Sequence, residues 1–323
     1  MTELLALDNL AVRYRVLAGW RALLAPPSQR HVAAVLDASL TIAAGETYGL
    51  VGESGSGKTT LARAIIGLVP ASAGTIRLRG RALGRLSERA LRPVRRQIGM
   101  MFQDPVASLS PRRTVASLIT EPFAIHGIAS DPAAEAQRLI AMVGLDARFL
   151  GLYPHQLSGG QARRVGAARA LALNPALVIA DEPTAGLDVS VQGEVLNLLA
   201  SLQAQHGMGY LIVTHNLPVI RHISHRIGIM YLGRLVEQGP TREVFRRPAH
   251  PYTAGLVAAI PQPDPDLRRD APPLEGEIPS PRNRPPGCEF HTRCPHAQPR
   301  CRTEPPTLTT LDAVRSVRCH FPL

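Results

Sequence analysis

Lysine is almost missing from this 323-residue chain: of its 36 basic side chains, 35 are arginine and Lys58 alone is lysine. Long apolar runs are missing too. None approaches the roughly 20 residues that cross a bilayer, so the chain is expected not to span a membrane. The opening MTELLALDNLAVRYRV carries Glu3 and Asp8 and no cleavable signal pattern, which predicts a chain that is not exported. Cysteine is absent until residue 288, and Cys288, Cys294, Cys301 and Cys319 all fall in the last 36 residues. That clustering excludes a disulfide framework for the main body and, in a chain expected in the cytosol, points to metal chemistry. No internal repeat is visible, which sets repeat architectures aside.

What is present describes a globular protein with an unusual charge. Apolar residues make up 45% and charged residues 19%, enough to bury a core and to exclude bulk disorder. The formal net charge of +11 suggests phosphate, nucleic acid or an anionic membrane surface as partner, without choosing among them. Much of the excess is local: residues 77–113 hold ten arginines against Glu88 and Asp104, either a solvated face or a binding patch.

The first 260 residues alternate short apolar runs with helical periodicities, the pattern of an α/β domain. TYGLVG (47–52), ALVIAD (176–181) and GYLIVT (209–214) read as buried strands. KTTLARAIIGLV (58–69) and VSVQGEVLNLLASLQAQ (189–205) read as helices, and TIRLRG (75–80) as a strand with one wet face. Composition shifts near residue 261, and thirteen of the 29 prolines lie in 261–306. Missing N–H groups and fixed φ oppose regular structure there. The expected organisation is therefore a domain over 1–260, then a proline-rich arm and cysteine-bearing module over 261–323.

GESGSGKT (52–59) fits the phosphate-binding spacing G-x-x-x-x-G-K-[ST], between an expected strand and helix. Gly52, Gly55 and Gly57 let the backbone curl, so that the N–H groups of the loop, with Glu53, Ser54, Ser56 and Thr60 around them, face an anion. Lys58 brings a compact charge to the β- and γ-phosphates, and the Thr59 hydroxyl suits Mg²⁺. LVIADE (177–182) ends an apolar strand on Asp181, placed to hold Mg²⁺ through water, and Glu182, placed to polarise an attacking water. LSGGQ (157–161) precedes the arginine-rich helical stretch ARRVGAARALAL. Ser158, Gly159, Gly160 and Gln161 make either a second anion-binding helix start or a plain N-cap.

In this order, with a histidine downstream, these motifs resemble an ABC-family ATPase subunit over residues 1–260. The resemblance implies a P-loop NTPase fold with an antiparallel β portion near the start and a helical subdomain around 104–165. It also implies ATP and Mg²⁺ as cofactors. Gln103, in MMFQDP, matches the Q-loop glutamine, which contacts Mg²⁺ or the attacking water and senses the membrane partner. Asp181 matches the Walker B aspartate, Glu182 the catalytic carboxylate and His215 the switch histidine at the γ-phosphate. Asp188, in AGLD (185–188), matches the D-loop at the dimer seam, with Ala-Gly where Ser-Ala is commoner. Tyr14 is the candidate for stacking on adenine, ahead of an insertion over 15–35. The resemblance further implies that the P-loop of one subunit and the LSGGQ of another clamp one ATP. A second ABC ATPase subunit, a paralogue or another copy of this chain, is therefore required.

The tail narrows the subfamily. HPYTAGLVAAIPQPDP (250–265), PLEGEIPSPRNRPPGCEFHTRCPHAQPRC (273–301) and VRCH (317–320) resemble the oligopeptide/dipeptide importer ATPases and their C-terminal extension. That implies two transmembrane permease subunits, an extracytoplasmic solute-binding protein acting indirectly, no specific nucleic acid, and a place on the cytoplasmic face of the membrane. Cargoes in the family include peptides, nickel complexes and glutathione. A soluble ABC ATPase acting on nucleic acid or ribosomes, and an ABC-like regulatory module, are the rival classes. The spacing C-x5-C-x6-C-x17-C suits a [4Fe–4S] cluster or tetrahedral Zn²⁺, although the tight C-x2-C knuckles of zinc modules are lacking, and unligated buried thiols are the third reading. The resemblance implies an iron–sulfur cluster on Cys288, Cys294, Cys301 and Cys319.

Overall fold

A computed structural model of the chain describes residues 2–16, 30–84, 86–104, 106–261 and 274–323. Most of the expected insertion and the first part of the proline-rich arm lie outside the described residues. From the N-terminus, β1 (Glu3–Arg15), β2 (His31–Ala43) and β3 (Thr47–Val51) lead into α1 (Lys58–Ile65). Next come β4 (Ala73–Leu78), β5 (Arg81–Ala82), α2 (Glu88–Arg95), β6 (Ile98–Met101), α3 (Val115–His126) and α4 (Pro132–Met142). Then follow α5 (Gly159–Leu171), β7 (Leu177–Asp181), α6 (Val189–His206), β8 (Gly209–Thr214), α7 (Leu217–Ile223), β9 (Arg226–Tyr231) and β10 (Arg234–Pro240). The chain closes with α8 (Thr241–Arg246), α9 (Pro251–Ala258), α10 (Pro299–Thr303), β11 (Thr309–Thr310) and β12 (Ser316–Val317).

Contacts divide the chain into two compact bodies. The first comprises Met1–Ala6, Thr41–Thr47 and Arg77–Val213. Its centre is a parallel ladder in which β7 pairs β6 on one side (Ile98↔Leu177 to Met101↔Ala180) and β8 on the other (Leu177↔Gly209 to Asp181↔Val213). Every residue of β7 and β8 is buried. Strands covered on both faces read as unbroken apolar runs, and ALVIAD and GYLIVT have that character. Around them α3, α4 and α5 form the helical part. Thr114, Asp131 and Ser158 each start one of these helices, accepting from Ser117, Ala133 and Gln161 N–H groups respectively. Gly127 ends α3 in a left-handed conformation.

The second body comprises Leu7–Leu40, Tyr48–Ile76 and Thr214–Leu323. Here β3 pairs β9 in parallel (Tyr48↔Arg226 to Val51↔Ile229), and β9 turns back into β10 antiparallel, with a bulge between Leu235 and Glu237. The C-terminal chain extends this ladder. Glu237↔Val317 and Gln238↔Ser316 join β12 to β10, and β11 pairs β12. β1 and β4 lie together at the antiparallel portion, where Ala11 O accepts from Ser72 N–H at 2.7 Å and Asp8 accepts from Thr75 Oγ1 at 3.2 Å. The expected α/β architecture with an antiparallel part and a helical part is thus observed. Among the described residues, no helix is long and apolar enough to cross a membrane.

Candidate nucleotide-binding site

The loop after β3 is built by close approach as much as by turning. A Cβ on Gly52 would lie 2.1 Å from Met230 O, and one on Gly57 2.3 Å from Ala34 O, so neither place admits a side chain. Gly57 also starts α1 at φ 104°, and no side chain caps that helix. A helix that starts this way turns its positive end toward the loop, the arrangement that suits an anion. Lys58 folds back over the loop, its Nζ donating to Gly52 O at 2.8 Å, Glu53 O at 3.0 Å and Ser56 Oγ at 3.3 Å. Beside it, Tyr14 Oη donates to Thr60 Oγ1 at 3.3 Å, and the Tyr14 ring is partly exposed. All these residues belong to the second body.

The first body assembles the acidic strand end and the signature. Asp181 closes β7 opposite Val213 and is buried. Glu182 follows with φ 51°, a left-handed backbone for a non-glycine residue. Its N–H donates to Val213 O at 2.7 Å, and its carbonyl accepts from Arg163 Nη1 at 3.1 Å. Arg163 also donates to Ala185 O. Burial pushes the Arg163 pKa down against the opposing charges of Asp104 and Glu182. Backbone strain of this kind persists where neighbours over-determine it, and it gathers at functional sites. Arg163 was one of several equivalent arginines in its helix by sequence, and only the fold distinguishes it. Gln103 is exposed just beyond β6.

At the signature, Ser158 Oγ accepts from Gln161 N–H at 3.3 Å, while Gln161 Oε1 accepts from Ser158 N–H at 2.9 Å. This reciprocal capping box starts α5. A Cβ on Gly160 would come within 2.9 Å of Val191 Cγ1, which explains a glycine there. Asp188 caps α6, accepting from Val191 N–H at 3.0 Å. His215 is exposed in the second body, directly after β8.

Residues that sequence reasoning missed converge on the loop from the far end of the chain. Arg293 donates through Nη1 and Nη2 to the two Glu53 carboxylate oxygens, at 2.8 and 3.0 Å. Tyr252 Oη accepts from Glu53 N–H at 3.1 Å. The ion pair holds the Arg293 pKa above the ordinary arginine value.

The four cysteines face one small cavity of about 10 Å³, with Phe290, His250 and Phe321 among its walls. All are free thiols. Burial pushes the Cys288 thiol up to about 12 and raises Cys294 and Cys319 in the same direction. The donor set is right for metal, yet the arrangement is not. Among the described residues, no three or more His, Cys, Asp and Glu side chains are placed to hold a metal ion. The expected cluster or zinc site is therefore not seen among the described residues, although the four thiols line one cavity.

A glycine-rich loop that follows a buried strand and opens a helix defines a P-loop nucleotide-binding fold. Residues 35–185 match the model of the ABC transporter family, and residues 236–301 that of the oligopeptide/dipeptide transporter C-terminal region. The chain is 46% identical to a probable peptide ABC transporter ATP-binding protein of Sinorhizobium fredii, over 98% of this chain and 89% of that one. It is 45% identical to the oligopeptide transport ATP-binding protein OppF of Escherichia coli, over 94% of this chain and 92% of that one. The dimeric cassette MJ0796, solved bound to ADP and phosphate, superposes with a TM-score of 0.65 at 29% identity, covering 74% of this chain and 99% of that one. The chain belongs to the ABC transporter ATP-binding subunits of the oligopeptide/dipeptide group, ATPases whose hydrolysis is coupled to transport.

Proposed function

We propose that this chain powers the import of oligopeptides or dipeptides from the cytoplasmic face of a membrane. The observation that carries the reading is the P-loop, with Lys58 folded into it, on a chain that also has the oligopeptide-type C-terminal region. In this reading 1–260 is the nucleotide-binding domain and 261–323 its extension. The loop 52–60 holds the ATP phosphates, Thr59, Gln103 and Asp181 serve Mg²⁺, and Tyr14 stacks on adenine. Glu182 takes the proton of the attacking water, and His215 steadies the γ-phosphate. Ser158, Gly159, Gly160 and Gln161 meet the ATP of a second ABC ATPase subunit.

The permease pair would dock at a cavity of about 370 Å³ in the first body, lined by Phe102, Ile125, His126, Arg95 and Leu173. Phe102 adjoins Gln103, so a helix seated there would touch the residue that reports on the nucleotide. Two arginines, Arg95 and Arg96, favour an acidic or carbonyl-rich helix end.

Glu182→Gln is expected to keep ATP binding and lower turnover by about 100-fold or more; unchanged hydrolysis would remove Glu182 from the role of base. In proteoliposomes with its permeases and solute-binding protein, the chain should drive ATP-dependent uptake of a labelled tripeptide. Uptake of nickel or glutathione instead would overturn the cargo, and co-purification with an RNA particle rather than permeases would overturn the transporter. Metal occupancy of Cys288, Cys294, Cys301 and Cys319 rests on their shared cavity, and binding would release the thiol protons. Iron, sulfide and zinc assays on anaerobically purified protein test it, and metal-free protein would overturn it.

A further inference from the structure

Glu53 is a junction. Its carbonyl accepts from Lys58 Nζ at 3.0 Å, its N–H donates to Tyr252 Oη at 3.1 Å, and its carboxylate receives the two-pronged grip of Arg293. One loop residue thus links the phosphate-binding lysine to a segment 240 positions away. The Arg293 side chain is only 4% exposed, against 24% for Glu53. Its guanidinium lies over the Tyr231 and Phe290 rings, at 5.9 and 6.0 Å, and Nε donates to Glu275 O at 3.3 Å. Tyr231, Tyr252 and Phe290 pack together with centroids 4.8 to 5.4 Å apart. The arginine is therefore held from its stem, from both rings and by its own backbone N–H, which donates to Phe290 O at 3.0 Å.

We propose that Arg293 is a positioning residue for ATP binding: it fixes the phosphate-binding loop through Glu53, making the C-terminal extension a working part of the nucleotide site. A planar fork on a carboxylate fixes direction as well as distance, and burial of the arginine end strengthens it. Glu53 can then shift only with its neighbours, and its carbonyl, one of the acceptors that holds Lys58, stays in place. Tyr252, carried by α9, holds the backbone of the same residue, so both grips come from the chain beyond residue 250. Pre-ordering the loop lowers the entropy lost when it closes on phosphate.

The proposal rests on the P-loop being the ATP site, and the test separates the two. ATP affinity of the full-length chain would be measured with a fluorescent ATP analogue for Arg293→Ala, Arg293→Lys, Glu53→Gln and the Arg293→Ala/Glu53→Gln pair. Val317→Ala, in β12, and Lys58→Ala serve as references. Weakening of about tenfold is expected for Arg293→Ala and for Glu53→Gln, with the pair no worse than either alone, as for two ends of one interaction. Arg293→Lys should recover part of the loss. Val317→Ala should lower Tm while leaving affinity unchanged. Unchanged affinity in Arg293→Ala and Glu53→Gln, with Lys58→Ala impaired, would overturn the positioning role alone. Equal weakening by Val317→Ala would reduce Arg293 to general scaffolding and overturn it too. Unimpaired Lys58→Ala would overturn the ATP site itself.

Discussion

Lys58 is the one place where this chain keeps an ammonium, and its three short contacts give a reason. Gly52 O, Glu53 O and Ser56 Oγ surround Nζ from different directions, as three donors on a tetrahedral nitrogen permit. A guanidinium is a broad planar fork and cannot enter that nest without displacing the loop. Lys58→Arg should therefore weaken ATP binding about tenfold or more despite conserving charge, as read by equilibrium titration with ATP. Gly57 carries a constraint of another kind. Gly57→Ala would drive a Cβ to 2.3 Å from Ala34 O at φ 104°. The expected cost is about 2–4 kcal/mol, measured as a lower urea midpoint, with ATP binding lost alongside.

Helix starts separate stability from function at the scale of elements. Asp131 caps α4, accepting from Ala133 N–H at 2.9 Å. Asp131→Ala should cost about 1 kcal/mol in chemical denaturation and leave ATP turnover intact. The signature helix supports a finer test. Ser158→Asp keeps an oxygen able to cap α5, so stability should stay within about 0.5 kcal/mol of the parent. The added negative charge should repel the partner's ATP, and ATP-driven pairing of subunits, followed by analytical ultracentrifugation, should be lost. Retained pairing would leave LSGGQ as a cap and nothing more. Element boundaries were readable because apolar runs and caps are local: TYGLV, LVIAD and GYLIVT are strands over the stretches expected. Helix α1 is shorter than KTTLARAIIGLV suggested, ending at Ile65 where Gly67 takes a left-handed turn.

For the whole molecule, the C-terminal extension is bound into the second body by charge and core alike. Val317 is fully buried in β12, and Phe290 lies among Tyr231, Tyr252 and His250. Asp37 receives Arg234 at 2.5 Å and Arg318 at 3.2 Å, and Arg284 donates to Ala33 O at 2.7 Å. Ending the chain at residue 260 would strand Asp37 beside Arg234 without Arg318 and uncover the aromatic cluster. A lower Tm and weaker ATP binding are expected by thermal denaturation and titration. A truncated chain as stable as the whole would show the extension to be a passive appendage.

The sequence alone determined the P-loop, the acidic strand end, the signature and the buried strands. Each is a property of neighbouring residues, through backbone freedom, apolar periodicity or a capping side chain. It also determined that four thiols share one short module. Only the tertiary structure decided that the four thiols line one cavity, and that Arg163 fixes the backbone at Glu182. It alone singled out Arg293, one of 35 arginines, as the partner of Glu53. Pairing across 240 residues depends on which strands lie side by side, and a guanidinium looks the same in sequence whether it faces water or grips the phosphate loop.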